Sequence, residues 1–382
     1  MKRLSITPRE GWQKIVESQG LDFHTIDGKI YWDESACYEF TSAEIDSIEA
    51  ATAAINEMTL SAVEFIIKNK LYKQFGIPDW CVPFIEKSWD WDEPTVYGRY
   101  DFCLRPGEAP KLLEYNADTP TALLEASVIQ WHWLQTQKQH WNLDQFNSIH
   151  EKLIERWERL HAQWKDTDIH FACHGGNTED FGTTQYLRDT AMQAGINTHF
   201  VDIADIGWDD RSQNFVTKQG MPIDALFKLY PWEWLINEEF GKHIFKSVCQ
   251  FIEPMWKMLL SNKALLPILW YLNPGHENLL PTFRSPTTAL NGNYVKKPIL
   301  SREGANVSIY KNDTLVSATE GEYGEEGYIY QALCELPCFD GNYPVVGSWV
   351  VEGEPAGIGI REDTGLVTTN LSRFVPHYFT AK

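Results

Sequence analysis

The chain has 382 residues, too many for one small core, and 43% of them are hydrophobic, so two or three intimately packed domains are expected. The 33 Lys and Arg are outnumbered by 53 Asp and Glu, for a net charge of −20. No basic stripe offsets that charge, which argues against non-specific nucleic-acid binding. No unbroken apolar run of about 20 residues occurs, so no membrane span is expected.

The N-terminal Met1-Lys2-Arg3-Leu4-Ser5-Ile6 has no apolar leader core and no cleavage site, so a secretory leader is not expected. The seven Cys are scattered and odd in number, and no CxxC occurs. That pattern fits reduced cytoplasmic thiols better than a disulfide framework. Cys334 and Cys338 lack two further clustered ligands, so no zinc site is expected there.

Thr7-Pro8-Arg9-Glu10 has the form of a capping box with Pro at the first helical position, and predicts a short helix. Thr41-x-x-Glu44 opens a longer one, with Ile45, Ile48, Ala51, Ile55, Met58, Ala62, Phe65 and Ile66 at helical spacing as core positions. Arg99-Tyr100-Asp101-Phe102, a Pro/Gly turn at 105–110, and Leu113-Glu114-Tyr115-Asn116 predict a β-hairpin. Side chains two apart share a strand face. Symmetric pairing about the turn puts Asp101 opposite Glu114 and Arg99 opposite Asn116, with Tyr100, Phe102 and Tyr115 on the other face. Two carboxylates and an amide oxygen make a hard-oxygen set suited to Mg2+ on nucleotide phosphates, and an adjacent Arg suits phosphoryl charge. A solvated sheet face with cross-strand ion pairs has the same appearance.

Thr121 to about Lys138 and Asn142 to Lys165 read as further helices, with Asn142 a candidate N-cap. Ile169–Cys173, a His174-Gly175-Gly176 turn, a helical run from Thr178 to Ala194 and a strand from Thr198 to Ile203 form a βαβ unit, which implies a parallel sheet. Ala225 to Tyr230 is a third strand candidate. A helix is expected from Ser261 through Trp270. Tyr294–Ile299, Ser308–Tyr310, Tyr328–Ala332, Tyr343–Val350 and Gly357–Arg361 read as strands of antiparallel character. Lys297 ends a strand before the Ser301–Val307 loop, where Arg302 and Gly304 offer a guanidinium fork and a close backbone approach to phosphate. Neither a Walker A motif nor a strand-borne GxGxxG is present.

The segments RYDFCL and LLEYNADTPT of this hairpin, SNKALLPILW at 261–270, VKKPILSREGANVSI at 295–309 and GSWVVEGEPAGIGIRED at 347–363 resemble the synthetase domain of the glutathionylspermidine synthase family, and its stand-alone acid–amine ligase relatives above all. The resemblance runs collinearly through essentially the whole chain. It implies an α/β and α+β architecture, an ATP-grasp fold with an inserted pre-ATP-grasp α/β domain. Residues 1–160 would carry the N-terminal helices and metal hairpin, 161–260 the pre-ATP-grasp-like unit and 261–382 the nucleotide-binding part. It further implies ATP and Mg2+ as cofactors. Metal ligands fall on Asp101, Glu114 and Asn116, and the catalytic Arg on Arg99. Nucleotide contacts fall on Lys263, Lys297, Arg302, Gly304, Gln331, Leu366, Val367 and Thr368. Substrate contacts fall on Thr119, Thr121, Glu179, Asp180 and Arg361. The partners implied are a small-molecule carboxylate, such as glutathione or a peptide, and an amine such as a polyamine.

This chain has Thr119 and Thr121 where the family has two Ser, Asp180 as the second acid of the pair, and Leu229 where the family has a Thr. The family's amidase domain has no counterpart segment here, so no hydrolase activity is expected. The activity implied is ATP-dependent ligation of a carboxylate to an amine through an acyl phosphate, in the cytoplasm. A non-catalytic ATP-binding protein and phosphorylation of a carboxylate without an amine remain open on these residues.

Overall fold

The computed structural model describes residues 1–137, 142–165 and 167–380. Two five-stranded antiparallel sheets and one four-stranded parallel sheet organise it into a mixed α/β fold. The first, here called the site sheet, has the order Arg373–Val375, Glu354–Asp363, Tyr343–Val351, Tyr97–Cys103, Lys111–Asn116. The second, the flanking sheet, has the order Thr282–Phe283, Tyr328–Ala332, Tyr294–Pro298, Ser308–Lys311, Thr314–Ala318.

The helix Ser42–Lys68 forms as its capping signal requires. The Thr41 side chain accepts from the Glu44 N–H, and the Glu44 carboxylate accepts from the Thr41 N–H. Ile45, Ile48, Ile55, Ala62, Val63 and Ile66 are buried in the core, each large side chain contributing about 1.5–3 kcal/mol. The helix is long and apolar enough to cross a membrane by composition alone, but here that apolar stripe packs on the back of the site sheet. Thr52 bonds the Ser348 hydroxyl at 2.7 Å and Thr59 the Tyr100 hydroxyl at 3.1 Å. Tyr100 and Tyr115 stack with centroids 3.8 Å apart on this covered face, so strand alternation turns Arg99 and Asp101 to the opposite, open face.

The βαβ unit lies in the parallel sheet, order Gln250–Ile252, Ala225–Leu229, Ile169–Cys173, Thr198–Asp202. The helix Thr178–Gln193 is capped by Asn177, whose side chain accepts from the Glu179 and Asp180 N–H groups. One buried ion pair joins this sheet to the site sheet's edge. Lys228 Nζ lies 2.6 Å from Asp118 Oδ1, and Asp118 Oδ2 accepts from the Trp232 N–H at 2.8 Å.

Four expected elements differ. The helix expected from Ser261 spans Leu265–Leu272, after a turn in which the Asn262 side chain accepts from the Ala264 N–H. No helix starts at Thr7: it begins at Trp12, because the Arg9 backbone and guanidinium are turned onto buried Glu34. Instead of starting at Asn142, the next helix spans Ile149–Trp164, since Leu143–Asp144 is a strand paired with His377–Thr380. The Trp-bearing helix opens as a π-helical stretch at Glu125–Ile129 and continues as Gln130–Gln137; its expected end at Lys138 lies outside the described residues.

Candidate active site

The open face of the site sheet, the flanking sheet and the end of the parallel sheet enclose a cavity of about 610 Å³. Of the residues singled out in sequence, Arg99, Asp101, Glu114, Asn116, Thr119 and Thr121 line it from the hairpin side. Lys263, Lys297, Arg302, Gly304 and Leu366–Thr368 line it too, with Arg361, Glu179 and Asp180. Gln331 does not reach the wall. It is buried behind Lys297, accepting from its Nζ at 2.8 Å and donating to the Leu112 carbonyl.

The hairpin pairs as expected, Arg99 opposite Asn116 and Asp101 opposite Glu114, with a bulge after Asp101. Arg99 grips Asp101 through two bonds of 2.7 and 3.1 Å and donates to the Thr121 carbonyl at 2.7 Å. Its aliphatic stem fits because residue 347, opposite Asp101, is Gly; a Cβ there would lie 2.8 Å from Arg99 Cδ. Asn116 Nδ2 donates to Asp101 Oδ2 at 3.0 Å. Lys263 lies 3.1 Å from Glu114 and donates to the Ser301 carbonyl at 2.5 Å. Lys297 also donates to the Leu113 carbonyl at 3.0 Å.

Electrostatics follow from this packing. Burial pushes the Glu114 carboxyl up, but Lys263 and Lys297 outweigh it and hold it at about 2. Burial draws the Lys297 ammonium down to about 8 despite Glu114. Burial leaves Asp101 raised even with Arg99 against it. Among the described residues no group of three His, Cys, Asp or Glu gathers. Mg2+ does not need one: it binds through one or two carboxylates, with waters and phosphates completing its shell. Asp101, Glu114 and the Asn116 amide oxygen fit that donor set, and the cations now satisfying the carboxylates are the ones a phosphate would attract.

The opposite wall has a different character. Glu179 and Asp180 occupy the first turn of their helix, beside fully buried Glu125, whose Oε1 accepts from the Tyr31 hydroxyl at 2.6 Å. Oε2 of Glu125 and Oε1 of Glu179 have no hydrogen-bond partner. Burial, then Glu179, pushes the Glu125 carboxyl up to about 7. Burial, then Glu179 and Glu303, does the same to Asp180. Arg361 is held by the Thr369, Asn370 and Ser372 carbonyls. Arg302, expected to face phosphate, is bonded to Glu233 and to the Thr119 hydroxyl. Its neighbour Gly304, at φ +70°, lies under the Leu366–Thr368 stretch, where a Cβ would meet the Thr368 carbonyl at 2.5 Å.

Sequence reasoning missed Glu125 and the Lys228–Asp118 pair. The one available signal for Glu125 was a lone acid inside the apolar run Leu123–Ile129. Lys228 and Asp118 are 110 residues apart and carry no local signal.

Comparison with known proteins adds an independent line. The family model for "Glutathionylspermidine synthase preATP-grasp" matches residues 3–380. A Haemophilus influenzae protein described as "Putative acid--amine ligase" is 45% identical over 99% of this chain and 100% of its own length. Trypanothione synthetase of Crithidia fasciculata is 28% identical over 77% of this chain, and the bifunctional glutathionylspermidine synthetase/amidase of Escherichia coli 27% over 89%. The chain spans only 49% and 58% of those two. Among solved structures, a glutathione synthetase-like effector of Globodera pallida superposes with a TM-score of 0.58, covering 96% of this chain and 97% of its own, at 11% identity. That likeness is one of fold.

Proposed function

We propose that this chain, which belongs to the glutathionylspermidine synthase family, is an ATP- and Mg2+-dependent ligase joining a small-molecule carboxylate to an amine. Family membership supports a ligase; the finer reading rests on one observation. A single cavity carries a two-carboxylate, one-amide donor set interlocked with Arg99, Lys263 and Lys297 on one wall, and on the other Asp180 and Glu179, whose Oε1 has no hydrogen-bond partner, with Glu125 buried behind them. We read the first wall as the nucleotide side of an ATP-grasp fold and the parallel sheet as its inserted pre-ATP-grasp unit. The second wall is read as the amine side. The cytoplasm is the proposed setting.

In this reading the acid's carboxylate attacks the γ-phosphoryl group of ATP, giving an acyl phosphate and ADP. The amine then attacks the acyl carbon and phosphate leaves. Such transfer is governed by positioning and charge neutralisation. Bound at Asp101, Glu114 and Asn116, Mg2+ would neutralise phosphate charge. Lys263 and Lys297 add positive charge beside it, and Arg99 meets the charge that develops on the transferred group. Lys297 keeps its reach through Gln331. Leu366–Thr368 supply apolar and backbone surface for the base. Thr119, Thr121 and Arg361 would hold the acid. Glutathione or a γ-glutamyl peptide is the first acid to try, and a polyamine the first amine, given the relatives' names.

An amine must shed its proton before it attacks. Asp180, with its carboxyl near 7, is able to take that proton, and Glu179 to attract the cation. The loops 301–307 and 320–327 serve as one water-excluding lid, since the Asn306 N–H donates to the Glu320 carbonyl and its side chain to that of Tyr323.

The test is ADP release from Mg-ATP across a matrix of acids and amines, with mass spectrometry of each mixture. Release requiring both partners, with a product lighter by one water, supports the ligase. Release with an acid alone, or tight Mg-ATP binding with no release anywhere, refutes it.

A further inference from the structure

Arg99, Arg302 and Arg361 line the cavity, and each guanidinium lies over an aromatic ring: Trp349 at 5.4 Å, Trp234 at 5.8 Å and Tyr31 at 5.8 Å from the ring centre, respectively. Arg99 and Arg302 also hold a carboxylate, Asp101 and Glu233. Arg361 differs. Among the described residues its Nη2 donates only to the Thr369, Asn370 and Ser372 carbonyls, and its Nε is buried without a partner. One end of this guanidinium is therefore held by neutral dipoles, and its face by the Tyr31 ring. Its charge remains available to an entering anion, which a guanidinium suits.

The Tyr31 ring is itself fixed from two sides. Phe374 stands opposite Arg361 in the site sheet, donates its N–H to the Tyr31 carbonyl at 2.7 Å and accepts from the Asp33 N–H at 2.9 Å. Trp32 stacks on Phe374 at 5.6 Å, and Asp33 pairs with Arg373 at 3.2 Å. The N-terminal segment is thus laced to the strand beside Arg361. At the far end of the ring, the hydroxyl donates to Glu125 Oε1 at 2.6 Å, and both side chains are buried.

We propose that Tyr31 is a positioning residue for the acid substrate: its ring, pinned by Glu125, holds the Arg361 guanidinium in place to bind a carboxylate of the acid. This rests on the ligase reading above. A ring face attracts a desolvated guanidinium. Without the ring, the Nη2 bonds alone fix Arg361, which is then free to pivot about that end. Without the hydroxyl, the ring stays under Arg361 but loses the bond that sets its tilt. The two parts of the side chain therefore separate in their effects.

The experiment compares the full chain with Tyr31→Phe and Tyr31→Leu in two ways. The first is steady-state kinetics with Mg-ATP and the acid and amine that turn over. Tyr31→Leu should raise the acid KM about tenfold, with kcat, amine KM and Mg-ATP affinity held within about twofold. Tyr31→Phe should recover most of that, leaving a rise of about two- to threefold. The second is NMR of the 15N-arginine-labelled chain without substrate. The Arg361 Nε–H signal, assigned by its loss in Arg361→Lys, should lie upfield of free arginine because of the ring current. It should return to the free-arginine position in Tyr31→Leu and stay upfield in Tyr31→Phe. An Arg361 signal at the free-arginine position in the unaltered chain, or an acid KM unmoved by Tyr31→Leu, would overturn the proposal. Equal losses for acid, amine and Mg-ATP would make Tyr31 a structural residue only. If Tyr31→Leu does not fold, the unaltered chain and Tyr31→Phe decide: an unshifted Arg361 signal or an unchanged acid KM in Tyr31→Phe overturns it. Failure of the ligase reading would show separately, as no acid turning over in the unaltered chain; the acid role of Arg361 would fall with it, while the substrate-free signal still reads the Tyr31–Arg361 contact.

Discussion

The two walls of the cavity handle charge in opposite ways. On the hairpin wall every charged side chain has a partner within the wall: Arg99 with Asp101, Lys263 with Glu114, Lys297 with Gln331 and a backbone carbonyl. On the helix wall, Glu125 and Glu179 each keep a buried oxygen without a hydrogen bond, and Glu125 and Asp180 are pushed toward neutrality of charge instead. Buried polar atoms are rarely left unsatisfied in native proteins. In the proposed reading, the first wall would exchange partners when phosphates and metal arrive. The second carries buried carboxyls whose charge is relieved by protonation or by an entering cation. Substrate selectivity is thus expected on the second wall, and phosphoryl chemistry on the first.

Breaking the joint between the walls should have the largest effect. Lys228→Met leaves Asp118 buried and unpaired, and should cost about 3–5 kcal/mol of unfolding free energy in urea titrations. A loss under about 1 kcal/mol would mean that the pair is not what holds the sheets together. On the hairpin wall, Arg99→Ala should lower turnover by about 10²–10³ with Mg-ATP affinity nearly kept, as when one transition-state donor is removed. Equal losses in affinity and turnover would make Arg99 a ground-state ligand. Asp101→Asn should raise the Mg2+ needed for nucleotide binding by about 10–100-fold, read by metal-dependent calorimetry. An unaltered metal requirement moves the metal away from the hairpin.

The helix wall should respond to pH. A carboxyl raised from its usual value toward 7, as at Asp180, favours the ligand-free fold most below the unfolded pKa, and that contribution is lost as pH rises from about 4 through about 7. Cation binding has the opposite sign, because it needs the ionised form. Amine affinity should therefore rise several-fold between about pH 6 and about pH 8, and Asp180→Asn should flatten the profile. A profile unchanged by Asp180→Asn would remove that carboxyl from amine binding. Away from both walls, Thr41→Ala should cost about 1 kcal/mol through loss of the helix cap, with kinetics unchanged. A kinetic change there would mean that the long helix, not only the hairpin it backs, tunes the site.

The hairpin wall was legible in the sequence because its information is local. Period-two alternation fixed which side chains share a face, and a single turn fixed the register of Asp101 on Glu114. The βαβ unit and the Thr41 cap were legible for the same reason. The helix wall was not. Glu125 meets Tyr31 across 94 residues and Lys228 meets Asp118 across 110, distances over which spacing carries no signal. Two of the misplaced helix starts have the same cause. Leu143–Asp144 is claimed by a strand near the C-terminus, and Arg9 by Glu34, so tertiary pairing overrode local propensity.

The most direct measurement of the central claim is an isotope transfer, made with the acid and amine that the ADP-release matrix identifies. The acid's carboxylate is labelled with 18O and the phosphate released in one turnover is weighed. An acyl phosphate built on this hairpin predicts one labelled oxygen per phosphate, with ADP as the other product. Unlabelled phosphate, or AMP in place of ADP, would contradict it.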